Sequence, residues 1–127
     1  MTDPDGVSIT NGVMAPPPLA GTAVVVRLAG EVDLATAEHA GDQLRAAEAV
    51  AVVDAPAVVV LDLTQVTFLG SVGLAMLVEH NQLCSELGSR LCVIVGDSPA
   101  AWRPIKIATL DTVLTIVSSV DEALGRA

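Results

Sequence analysis

Apolar and polar positions along this chain follow two rhythms. Val24-Val25-Val26 and Val58-Val59-Val60-Leu61 are continuous apolar runs, the pattern of strands buried on both faces. The second run predicts a strand over residues 57–62, followed by a short polar link. After Gly73 the spacing turns helical: Gly73, Met76, Leu77, His80, Cys84 and Leu87 fall on one face, and Gly88 supplies a stop. Ser71 therefore stands where a strand hands over to a helix. The first amides of a helix are unpaired and carry partial positive charge. A hydroxyl there can cap the helix, attack a substrate or accept a phosphate.

The remaining elements alternate in the same way. Residues 1–6 are expected to be disordered, residues 8–13 to form a first short strand, and Pro16-Pro17-Pro18 to run extended. A strand over 22–28 ends at Gly30. Asp33 or Thr36 then caps a helix to about Ala49, with Leu34, Ala37, Ala40, Leu44 and Ala47 inward. Residues 50–56 form a longer connection than such a unit requires. A strand over 91–95 precedes a short irregular or kinked helix around 100–108, because Pro104 removes a helical hydrogen bond. Residues 113–117 form the last strand, and Ser118 or Ser119 precedes a terminal helix through Leu124. Such alternation predicts an α/β fold: one domain over residues 7–127, with a mixed sheet of about four or five strands flanked by helices.

Composition narrows the classes. The chain has 127 residues, its 52% hydrophobic content comes largely from Ala and Val, and only Phe68 and Trp102 are aromatic, so one aliphatic core is expected. No apolar run approaches the roughly 18 residues of a membrane span. The acidic start Met1-Thr2-Asp3-Pro4-Asp5 is unlike a signal peptide, which places the protein in the cytoplasm. A net charge of -9 argues against nucleic acid, which needs clustered Lys and Arg. It suits a basic protein partner, or solubility alone. Cys84 and Cys92 read as reduced, buried thiols, with a redox switch as the alternative. They have no zinc-ligand spacing with His39 or His80, so no metal is expected. His80 reads as a residue at the rim of its helix's apolar stripe, not as a ligand or base.

No catalytic constellation emerges. Leu69-Gly70-Ser71-Val72-Gly73 lacks the first glycine of a Gly-x-Ser-x-Gly elbow, and no Gly-Lys-Ser/Thr phosphate loop occurs. Neither histidine supplies a compelling base for Ser71. Glu31 and Asp33 suit metal or acid–base work less well than a turn and a helix start. No cofactor is implied, and a small enzyme is the weakest of the three readings of this serine. On residue types alone a helix cap is the plainest reading of Ser71.

Three places together resemble a known family, the STAS domain, and within it the anti-sigma factor antagonists of bacteria. Gly30-Glu31-Val32-Asp33 resembles the family's Gly-Glu-(Leu/Ile)-Asp. The run from Asp62 through Thr67 and Ser71 to Leu74 resembles its strand, loop and Asp-Ser-(Ser/Thr)-Gly-Leu helix start. Residues 103–110 resemble its short helix before the final strand. Gly70 stands where the family usually has Asp, Val72 where it has Ser or Thr, and Thr109 where it often has Gly; Ser71 is thus the one matching phosphoacceptor. The resemblance implies a partner-switching protein. The unmodified form binds an anti-sigma factor of serine-kinase ATPase fold and frees a sigma factor; phosphorylation of Ser71 breaks that complex, and a serine phosphatase restores it. Glu31, Asp33, Thr67, Gly70, Ser71, Val72 and Gly73 are the implied partner-binding residues. The alternative within the family is a subunit of a lipid-transport or stress-sensing complex, with Ser71 only a cap.

Overall fold

The computed structural model describes residues 6–10, 13–14, 23–53 and 58–125. The Pro16-Pro17-Pro18 run, residues 1–5 and residues 54–57 lie outside the described residues. In chain order the elements are β1 (Gly6–Thr10), β2 (Val13–Met14), β3 (Ala23–Val32), α1 (Ala37–Val53), β4 (Val58–Leu69), α2 (Ser71–Glu86), β5 (Arg90–Ile94), α3 (Pro99–Ile107), a 3-10 turn (Leu110–Thr112), β6 (Thr115–Val117) and α4 (Val120–Ala123). The sheet is six-stranded, in the order β2-β1-β3-β4-β5-β6. Every pairing is parallel except β1 with β2. The fold is therefore α/β with a mixed sheet, as expected. The strand count is higher because the segment 8–13 is divided between two antiparallel strands. Gly6, placed in the disordered N-terminus by sequence, pairs with Ala23 in β1.

The valine runs alternate across the sheet, as the two-residue period of a strand requires. Val24, Val26, Val59 and Leu61 join one core cluster with Leu44 and Ala47 of α1, Met76 and Leu77 of α2, and Ala101 and Ile105 of α3. Val25, Val60, Cys92 and Val117 join a second cluster, which Ala123 of α4 covers. Cys84 and Cys92 are free, buried, and belong to opposite faces. Burial and the neighbouring Glu48 carboxylate push the Cys84 thiol up to about 12, so it stays protonated and inert.

Several boundaries and orientations differ from the sequence expectation. β3 continues past Gly30, which takes φ +78 and lets the strand turn without stopping. α1 runs to Val53, so most of the expected connection at 50–56 is the end of a helix. α3 is helical through Pro104; Pro99 starts it well, and the buried Ala101 and Ile105 hold it against the core. β6 is shorter than expected because Val113 N and Leu114 N still donate to Leu110 O, closing the 3-10 turn at Leu110–Thr112. α2 ends as read: Gly88 N donates to Ser85 O and Ser89 N to Cys84 O, a Schellman closure at φ +78. Leu87, counted on the buried face, is exposed because it stands at the cap. His80 is not a rim residue: it is buried and bonded to Glu48. Ser119 caps α4 by accepting from Glu122 N.

Candidate functional site at the carboxyl ends of β3 and β4

Two adjacent parallel strands deliver their following segments to one end of the sheet. Val32 pairs with Leu69 and Glu31 with Phe68. Gly70 N then donates to Val32 O at 2.9 Å. Asp33 and Ser71 are thus each one residue from the same hydrogen bond. Parallel strands place the starts of both helices at the same end, and this bond fixes how far apart they stand.

The ladder reaches this end irregularly. Between Arg27 and Ala29 on one strand, Asp62 to Gln65 on the other spans an extra residue. The same occurs between Gly30 and Glu31, where Thr67 is the unpaired residue opposite them. Each bulge resets the side-chain alternation. After the second one Thr67 and Phe68 are both exposed, while Leu69 turns back into the core. β4 therefore extends through what reads in sequence as a polar link, and it presents an aromatic ring, 51% exposed, beside the serine loop.

Asp33 organises the opposite turn. Its Oδ1 accepts from Ala35 N at 3.0 Å and from Thr36 N at 3.2 Å. Thr36 Oγ1 accepts from Asp33 N at 3.0 Å and donates to Glu31 O at 2.7 Å. This reciprocal arrangement works as a capping box ahead of α1. It also carries Leu34 out of the helix: the side chain read as inward is 82% exposed. Asp33→Ala is accordingly expected to lower stability by about 0.5–2 kcal/mol. Asp33→Asn should retain most of it, since Asn caps equally well. Urea midpoints for the two variants check this.

Ser71 itself is exposed and is the first residue of α2; the cap position belongs to Gly70, and no side chain caps this end. The plain reading of Ser71 as the helix cap is thus not what the fold uses it for. The first turn of α2 also carries no acidic residue, so its amides face outward uncompensated. Gly70 sits at φ -84, ψ 178, extended backbone that any residue adopts. A Cβ there would press on the movable ring edge of Phe68 at 3.1 Å and stand in ordinary contact with Val32 O at 3.6 Å. Gly70→Asp is therefore expected to fold and to gain a few tenths of a kcal/mol, on the order of 0.3, by capping α2. Thermal denaturation checks this, and a loss of stability would contradict the extended cap geometry.

Gly73 is different: it is buried, and its Cβ would stand 2.6 Å from Leu69 Cδ1. Its part in the site is to let α2 come down on the ends of β3 and β4. The structure thus brings Glu31, Asp33, Thr67, Gly70, Ser71 and Val72 to one exposed end, with Gly73 underneath. Leu34, Thr36 and Phe68 join them and are not among the site residues expected from sequence. Helical spacing hides Leu34, and a bulge, which depends on the facing strand, turns out Phe68. The face is apolar at Leu34, Phe68 and Val72 and acidic at Glu31 and Asp33.

The neighbouring cleft, lined by residues that include Leu28, Glu31, Thr36 and His39, encloses about 100 Å³. That is well below the roughly 300 Å³ at which small-molecule sites begin. Among the described residues no group of three or more His, Cys, Asp or Glu could hold a metal ion. No helix among them is long and apolar enough to cross a membrane.

This arrangement is that of a STAS domain. The family model of that description matches residues 17–123, and the chain belongs to the STAS domain family. Its relatives narrow the group. It is 32% identical over 128 residues to the "Anti-sigma-F factor antagonist RsfB" of Mycobacterium tuberculosis, covering 98% of this chain and 92% of that protein. It is 35% identical over 106 residues to a putative anti-anti-sigma factor of the same species, covering 84% of this chain and 70% of that protein. A crystal structure of an anti-sigma factor antagonist from Mycobacterium paratuberculosis superposes with a TM-score of 0.69 at 30% identity, covering 98% of this chain and 97% of that one.

Proposed function

We propose that this protein is a cytoplasmic anti-sigma factor antagonist, not an enzyme, that binds a kinase-fold anti-sigma factor through the face around Ser71. The observation that carries the reading is Ser71 itself: exposed, first in α2, free of any capping duty, and flanked by exposed apolar and acidic side chains. The relatives' names support the general role, and residues 7–127 act as the one binding domain.

Partner switching follows from electrostatics. Phosphorylation of Ser71 by the bound partner adds about -1.5 to -2 charges in one step. The open amides of α2 accept an anion without unfolding the domain. Glu31 and Asp33 on the same face make the docked partner's side a poor place to desolvate it. Release by a serine phosphatase resets the face. Glu31, Asp33, Thr67, Gly70 and Val72 make the contact surface, with Gly73 setting its shape.

Incubation with the cognate kinase and ATP tests the reading. Mass spectrometry should find one phosphate, on Ser71. A phosphate on Thr64, Thr67 or Ser98 instead, or none, would contradict it.

A further inference from the structure

Gln43, Glu48 and His80 are the buried polar side chains among the described residues. Two of them meet across α1 and α2. Glu48, 3% exposed, places Oε2 2.6 Å from Nδ1 of His80, 2% exposed. The two side chains share one short hydrogen bond in the interior. Cys84, one turn further along α2, donates to the same oxygen at 3.6 Å. The other oxygen, Oε1, is buried without a partner. A buried pair of this kind adds little net stability, and well-packed apolar replacements are often as good or better. An orphaned buried oxygen makes it worse.

The surface around the pair shows what it supplies. The buried stripe of α1 is Ala40, Gly41, Gln43, Leu44, Ala47, Glu48 and Ala51. Leu44 is its one apolar side chain larger than alanine. Helices find their relative position by setting ridges of side chains into grooves, and a row of alanines offers low ridges. A directional hydrogen bond in a dry interior discriminates register where such a surface does not.

We propose that Glu48 is a positioning residue that, through His80, fixes the register of α1 against α2 and so the spacing between the Asp33 turn and Ser71. Those two stand at the amino ends of the helices that the pair joins. The pair lies eleven residues into α1 and nine into α2, about 17 and about 14 Å from the two helix starts. That is well beyond the roughly 4.5 Å over which the replaced side chains make contacts. A response at both turns therefore reports movement of the helices.

Two variants test this by amide NMR, with partner affinity as a second readout that rests on the proposed function. Glu48→Met/His80→Leu replaces the pair without orphaning either member; Glu48→Gln keeps the shape and the hydrogen bond. The double variant is expected to melt no lower than the native protein and to displace the amides of residues 33–36 and 71–74. It should bind the anti-sigma factor at least about fivefold more weakly. Glu48→Gln should leave those amides in place and hold affinity within about twofold. Unmoved amides in a folded double variant overturn the proposal. So does a double variant that cannot fold, since the pair would then be stabilising the core and not its register. Equal displacement by Glu48→Gln also overturns it, because geometry would not be what sets the register. Displaced amides with unchanged affinity uphold the positioning role and count against the partner-binding reading instead.

Discussion

Gly73→Val is expected to lose about 2–3 kcal/mol of stability and to disorder the Ser71 face. A Cβ at this position would stand 2.6 Å from Leu69 Cδ1, 3.0 Å from Val32 Cγ1 and 3.3 Å from Val32 O. The side-chain atoms can turn away. The carbonyl cannot, because it ends β3 and already accepts from Gly70 N. The amino end of α2 must lift, and the bond that spaces Asp33 from Ser71 must stretch. At an ordinary helical site exchanging glycine for valine would gain roughly 0.3 kcal/mol, so here packing outweighs propensity. Ala75→Val, on the exposed side of the same helix, is the control. It changes only propensity and should cost no more than about 0.7 kcal/mol. Urea unfolding of the two variants compares the effects directly. Equal midpoints would mean that α2 does not approach the strand ends as closely as Gly73 implies.

The sequence makes some of this architecture legible and hides the rest for definite reasons. The valine runs of β3 and β4 are plain because both faces of a central parallel strand are buried. The stripe from Gly73 to Cys84 is plain because α2 packs against them. Bulges are not local properties: Thr67 becomes the extra residue only through pairing with Gly30 and Glu31, so the outward turn of Phe68 is invisible along the chain. Leu34 keeps helical spacing with Ala37 but lies in the turn that Asp33 and Thr36 close. Here side-chain hydrogen bonds override the period. The first hairpin had a signal in Asn11-Gly12, a pair that favours tight turns between strands, and those two residues lie outside the described ones. His80 is on the buried stripe in sequence, but what it meets is not. Glu48 is 32 residues away, and an acidic residue among alanines reads as a solvated position until α1 and α2 are packed.

Phosphorylation of Ser71 is expected to have the largest functional effect. The added charge falls at an uncapped helix start with no acidic residue in its first turn. There it should stabilise the isolated domain slightly, by about 0.3–1 kcal/mol at low salt. Against a docked partner the same charge must be desolvated beside Glu31 and Asp33. A coupling of about 1–3 kcal/mol lowers affinity by roughly 5- to 150-fold without a change of fold. Ser71→Ala should bind as the unmodified protein does and resist inactivation by ATP. Ser71→Glu carries less charge in a different shape, so a smaller loss of affinity is expected from it.

The most direct measurement is a calorimetric titration of the anti-sigma factor with two preparations of this protein, one unmodified and one carrying phosphoserine at position 71. The partner-switching account predicts tight binding by the first and at least about fivefold weaker binding by the second, with both melting within a few degrees of each other. Equal affinities would contradict it and leave Ser71 an exposed helix-start residue with no part in switching.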